Sequence, residues 1–84
     1  MEEAIVEELT LLLLYLTSWK ERVYGDLTVQ RAWKGYPFET LEALEAAGYL
    51  DQTRQTKSVT LTEAGIERAR SLAVQYLGAE AEGA

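Results

Sequence analysis

Apolar residues in the first two dozen positions recur with a helical period. Stepping about 100° per residue from Leu9 sets Ile5, Val6, Leu12, Leu13, Leu16, Trp19 and Val23 on one broad stripe. The spacing predicts a helix over Glu2 to Tyr24 with that stripe turned to the core. Acids in its first turn complement the positive end of the helix dipole, and Gly25 suits a left-handed cap at its end. Leu11 and Leu14 fall nearly opposite the stripe, flanked by Ala4, Tyr15 and Ser18. The helix is therefore apolar on two sides, and a small domain covers one. Large exposed apolar patches mark interfaces, so Leu11, Leu14, Tyr15 and Ser18 are the expected homodimer interface; the alternative is a later helix wrapped over them.

Further along, Asp26 or Thr28 starts a short helical turn that runs through Trp33. Lys34-Gly35-Tyr36-Pro37 reads as a turn, with Pro37 at the first position of a helix from Phe38 to Ala47 that buries Phe38, Leu41 and Leu44. Gly48 ends it. From Tyr49 the pattern alternates instead: Tyr49 and Leu50 open a strand, residues 52 to 56 form a polar hairpin tip, and Lys57 to Leu61 return antiparallel with Val59 and Leu61 on the buried side. At Thr62 the period changes without a loop. Thr62 caps a last helix whose apolar stripe is Ile66, Ala69, Leu72, Ala73, Tyr76 and Leu77. From Gly78 onward, "GAEAEGA" has nothing to bury and is expected to fray. The expected organisation is one domain over residues 1–77 and a disordered tail over 78–84.

Helix, short helix, helix, hairpin, helix is the order of a winged helix-turn-helix with a terminal helix. The expected fold class is α+β and mostly helical: a long N-terminal helix, short helices, a two-stranded β-hairpin wing and a C-terminal helix. The stretch "LEALEAAGYLDQTRQTKSVTLTEAG" resembles the part of small winged-helix regulators that runs from the second helix of the motif through the wing into the closing helix. More narrowly, "LLLLYLT", "RAWKGY" and "KSVTLTEAG" resemble a family of short uncharacterised bacterial proteins, a domain of unknown function with a winged-helix-like pattern. That resemblance implies the fold and carries no activity. The chain departs from the pattern at Pro37-Phe38, where Asp followed by Trp is expected; a capping acid is lost there, and no role of that acid transfers.

Eighty-four residues lie near the lower limit for a single apolar core without metal or disulfide, so a partner would help stability. The chain has no cysteine and no histidine, which removes disulfides, thiol nucleophiles, thiolate or imidazole zinc sites and the usual proton shuttle. No phosphate-binding glycine loop, nucleophile elbow or metal spacing is present. No catalytic residue, metal ligand or cofactor is assigned. The apolar run around Leu11 to Leu16 is bounded by Glu7, Glu8 and Lys20 to Arg22, too short to span a bilayer, and Met1-Glu2-Glu3 lacks the positive start of a signal peptide. A cytoplasmic protein without a membrane partner is expected.

Charge decides between the partners that remain. The net charge is −6, with acid concentrated in residues 1–8 and 39–45 and a weakly basic balance in residues 20–34 and 51–60. A groove-reading helix over 38–47 would present Glu39, Glu42, Ala43 and Ala46, which repel phosphate and make no bidentate base contact. The residues suited to nucleic acid or another ligand are Arg54 and Lys57 on the wing, and Arg31 and Lys34 in "RAWKGYPF". Against a stacking role for that segment, Trp33 and Phe38 read as core anchors with Arg31 and Lys34 lying over them. The expected function is a non-enzymatic homodimeric interaction or assembly module with an unidentified protein partner. The alternative is a transcription-regulator-like protein that touches the DNA backbone through its wing.

Overall fold

The computed structural model describes residues 2–53 and 55–78. Helix α1 (Glu3–Leu16) leads into a hairpin of β1 (Trp19–Tyr24) and β2 (Leu27–Trp33); α2 (Phe38–Ala46), β3 (Leu50–Gln52), β4 (Ser58–Leu61) and α3 (Glu63–Leu77) follow. The strands form one antiparallel sheet in the order β1-β2-β4-β3. About half the chain is helical, a more even mixture than the mostly helical expectation.

The difference lies in residues 17–33. The expected helix to Tyr24 stops at Leu16, because the Thr17 and Ser18 hydroxyls take over the terminal carbonyls: Thr17 Oγ1 donates to Leu13 O at 2.8 Å and Ser18 Oγ to Tyr15 O at 2.6 Å. Short hydroxyl side chains compete with the helical ladder in this way. The next six residues pair with Leu27–Trp33 around a two-residue loop, Gly25-Asp26, in which Gly25 has φ +53°. A glycine with positive φ in the first loop position is the signature of a tight hairpin. Gly25 thus adopts the left-handed geometry expected of it, but in a hairpin rather than a helix cap. The short helical turn expected up to Trp33 is strand β2, so α2 has no helix joined to it by a short turn.

All three helices lie on one face of the sheet and enclose Leu11, Leu12, Leu14, Ala32, Leu41, Leu44, Leu50, Val59, Leu61, Ala69, Leu72 and Ala73. The core side of α1 is therefore rotated relative to expectation: Leu12 of the expected stripe stays buried, but Leu11 and Leu14 join it. Leu14 and Leu11 are 0% and 1% exposed, whereas Ile5, Leu13 and Leu16 face solvent. A helix ending at Leu16 is fixed by what α2, α3 and the sheet can reach, and they reach the Leu11–Leu14 side. Two expected core anchors, Trp33 and Phe38, are 65% and 67% exposed, and Tyr76 and Leu77 lie at the surface beyond the buried Ala69, Leu72 and Ala73 of α3.

The expected junction at Thr62 is present. Its hydroxyl accepts from the Gly65 amide at 3.0 Å and donates to Gly48 O at 2.6 Å, while its amide donates to Tyr49 O at 3.1 Å. A Cβ at position 65 would overlap the Tyr49 carbonyl, so glycine lets the first turn of α3 rest on that backbone. Gly78 ends α3 with φ +66°; the expected tail beyond it lies outside the described residues.

Candidate functional site

The sheet has a second face that no described element covers. Register sets Trp19, Arg31, Thr60 and Asp51 in one row across all four strands, with the pairs Trp33–Ser58 and Glu21–Val29 on either side. Partners directly opposite share a face, and alternation within each strand puts these residues on the side away from Ala32, Val59 and Leu61. The Trp19 and Trp33 rings lie 4.9 Å apart at 43°, within the range of favourable aromatic pairs. Trp19 Nε1 donates to Glu21 Oε1 at 3.3 Å. Past the bulge after Arg22, Tyr24 pairs with Leu27 at the exposed hairpin tip.

Arg31 is held flat against this face by hydroxyls. Nε and Nη2 donate to Ser58 Oγ at 3.0 and 2.6 Å, and Nη1 donates to Thr60 Oγ1 at 3.1 Å. Three of the five guanidinium donors are thus used, and no described carboxylate forms an ion pair with it. The arrangement buries Ser58 and leaves a positive charge with spare donors beside two tryptophans.

The other expected contact residues do not join Arg31. The Lys34 amide donates to Lys57 O at 2.9 Å, but the Lys34 ammonium turns to Thr53 O at 2.7 Å. There it borders a groove of about 720 Å³ between α2 and the tip of β3, lined by Tyr36, Phe38, Leu41, Glu42, Glu45 and Gln52 among others. Lys57 is exposed just before β4, and Arg54 lies outside the described residues.

The expected dimer residues are corrected. Leu11 and Leu14 are core, Tyr15 packs against that core, and half-buried Ser18 accepts from Gln30 Nε2 at 2.8 Å, tying the link between α1 and β1 to β2. Leu11 and Leu14 offer no free face to a second copy, while Tyr15 and Ser18 are half-buried. Trp19, Glu21 and Val29 were not among the candidates. The signal for them was the alternation on each side of Gly25-Asp26, which a helical reading of Trp19 and Val23 obscures.

A smaller polar cluster ties α1 to α3. Glu8 accepts from Arg68 Nη2 at 3.1 Å and from the Tyr76 hydroxyl at 2.6 Å. The hydrogen bond to Glu8 raises the Tyr76 pKa above its ordinary value. Among the described residues no group of three or more acidic, histidine or cysteine side chains is placed to hold a metal ion, and no helix is long and apolar enough to cross a membrane.

Comparisons with curated proteins and with solved structures found no match. Residues 2–79, nearly the whole chain including both hairpins and the bare sheet face, match the family described as "Domain of unknown function (DUF6429)". The chain belongs to that family.

Proposed function

We propose that the protein is a non-catalytic assembly module whose copies pair through the outer face of the sheet. The observation that carries this reading is the Trp19–Trp33 pair, with Trp33 exposed and Trp19 half-buried, beside an Arg31 that pairs with no described carboxylate. Aromatic and arginine side chains are the commonest anchors of protein interfaces. The same face holds Glu21 and Asp51, so a two-fold arrangement can set Arg31 of each copy against a carboxylate of the other while the tryptophans meet; closed dimers use such self-complementary patches. With strands about 4.8 Å apart and residues about 3.3 Å apart, four strands and the seven residues of β2, the longest strand, bound the face at roughly 20 Å by 23 Å, the size of a weak, transient interface. A dimer with a Kd on the order of micromolar is expected. Pairing edge to edge is disfavoured, since β1 carries Lys20 and Arg22 along the sheet edge.

In support of a winged-helix-like reading, the β3–β4 hairpin runs directly into α3; against it, α2 has no helix joined to it by a short turn. DNA contact through the wing has less behind it: Arg31 and Lys34 serve different surfaces, α2 offers Glu39, Glu42 and Glu45, and two carboxylates share the outer face with Arg31.

Sedimentation across a concentration series tests the proposal. Trp33→Glu should leave a folded monomer, and Leu13→Glu, on the exposed side of α1, should leave the dimer intact. If Leu13→Glu dissociates it and Trp33→Glu does not, the interface is α1. If the parent protein stays monomeric into the millimolar range, or Trp33→Glu leaves the dimer intact, the sheet does not mediate association.

A further inference from the structure

The groove beside α2 offers a second surface that does not depend on whether copies pair through the sheet. Its volume of about 720 Å³ falls in the range of ligand sites, which combine apolar lining with a few placed polar groups. Leu41 forms the floor, half-buried Tyr36 one wall, and the 67% exposed ring of Phe38 stands at the rim. Phe38, Glu42 and Glu45 are spaced i, i+4 and i+7, on one side of α2. Glu45 accepts from Gln52 Nε2 at 3.1 Å. Glu42 is exposed and pairs with no described cation. Helix α2 has no basic residue, and the Lys34 ammonium at the rim is bound to Thr53 O.

An exposed ring one helical turn from a carboxylate that pairs with no described cation suits a cation with an apolar neighbour: the ring face attracts the cation, the carboxylate pairs with it, and Leu41 and Tyr36 accept the adjacent side chain. The same carboxylates repel phosphate and acidic peptide. We propose that this groove binds a partner-protein segment alternating Lys or Arg with large apolar residues, its cation lodged between Phe38 and Glu42 and its apolar side chain on Leu41.

Fluorescence anisotropy of the full chain with a labelled twelve-residue peptide alternating lysine and leucine tests this. Parallel titrations use a lysine–serine peptide of the same charge, a glutamate–leucine peptide and a duplex DNA. The lysine–leucine peptide should bind at least tenfold more tightly than the others. Glu42→Lys with Glu45→Lys should weaken it at least tenfold, as should Phe38→Ser, while Glu3→Lys with Glu67→Lys, an equal charge change elsewhere on the exposed surface, should alter affinity less than twofold. Circular dichroism should show each variant folded; where a groove variant is not, Glu42→Gln serves in its place and should weaken binding at least threefold. Equal loss from the remote pair would mean that net charge alone attracts the peptide. Preference for the acidic peptide or DNA, no binding by the lysine–leucine peptide, or loss of the protein's own dimer in the Glu42→Lys, Glu45→Lys variant would each overturn the proposal, the last by making a second copy the occupant.

Discussion

The two faces of the sheet are built from the same strands to opposite ends. Toward the helices they present Ala32, Val59, Leu61 and Leu50, small or medium residues that are almost wholly buried. Toward solvent they present Trp19, Trp33, Arg31, Glu21 and Val29, larger and chemically more varied. The inner face is sized to what α1, α2 and α3 can cover, and the domain closes over it. The outer face carries its largest apolar side chains in half-buried Trp19 and exposed Trp33, the ground of the proposal that copies pair there.

The sharpest way to break that comparison is through stability. Leu14→Ala removes a fully buried side chain from the helix layer over the inner face and should cost about 2–5 kcal/mol, as large-to-small core changes do. Trp33→Ala, on the outer face, should stay within about 1 kcal/mol. Urea denaturation of the two variants at a concentration where the protein is monomeric checks both; similar losses would mean that the tryptophans serve the fold.

Next in size is Gly65→Ala. Alanine favours a helix over glycine by about 1 kcal/mol, so an unconstrained site would gain stability. Here the added methyl meets the Tyr49 carbonyl, and the strain of crowding a packed site, about 1–3 kcal/mol, should prevail. The midpoint in urea should fall. A rise would show that α3 does not rest on the backbone leading into β3.

How far the chain could be read in advance follows the same division. The second hairpin and α3 were legible because turn signals, alternation and the Thr62 cap agree there, and the Gly65 contact gives "LTEAG" its structural reason. The first hairpin was not. Leu9, Leu12, Leu13, Leu16, Trp19 and Val23 fit a helical stripe even though Thr17 and Ser18 stop the helix, and local periodicity says nothing about which side of α1 its neighbours will cover. With the first helix carried to Tyr24 and a short helical turn to Trp33, Trp33 reads as a core anchor and the row Trp19–Arg31–Thr60–Asp51, which exists only through strand pairing, stays out of sight. Arg31 stands out in the sequence by its charge beside aromatic residues, but its hydroxyl partners lie 27 and 29 residues away.

A smaller effect is expected at Ser58, which supports Arg31 from beneath. Ser58→Ala leaves two of the three bound guanidinium donors without that oxygen, yet Arg31 is half-buried and water can replace it. The stability loss should be about 0.5–1.5 kcal/mol, and the larger consequence should be weaker self-association, because the guanidinium is no longer fixed on the face. Unchanged sedimentation would mean that the hydroxyl clamp does not orient Arg31 for a partner.

The least change is expected in the helix layer, at the Tyr76–Glu8 hydrogen bond. Folding raises the Tyr76 pKa from 10.0, first through that hydrogen bond and then through desolvation and the Glu8 charge. A raised pKa means that the folded state favours the protonated hydroxyl; its contribution is fully present below the unfolded value and is lost as pH rises through the folded one. Urea midpoints from about pH 8 to about pH 11 should therefore fall more steeply for the parent than for Tyr76→Phe, the other four tyrosines cancelling between the two proteins. Parallel curves would show that Glu8 holds α3 through Arg68 alone, and that the cover over the inner face rests on Leu72, Ala69 and Ala73 rather than on its polar rim.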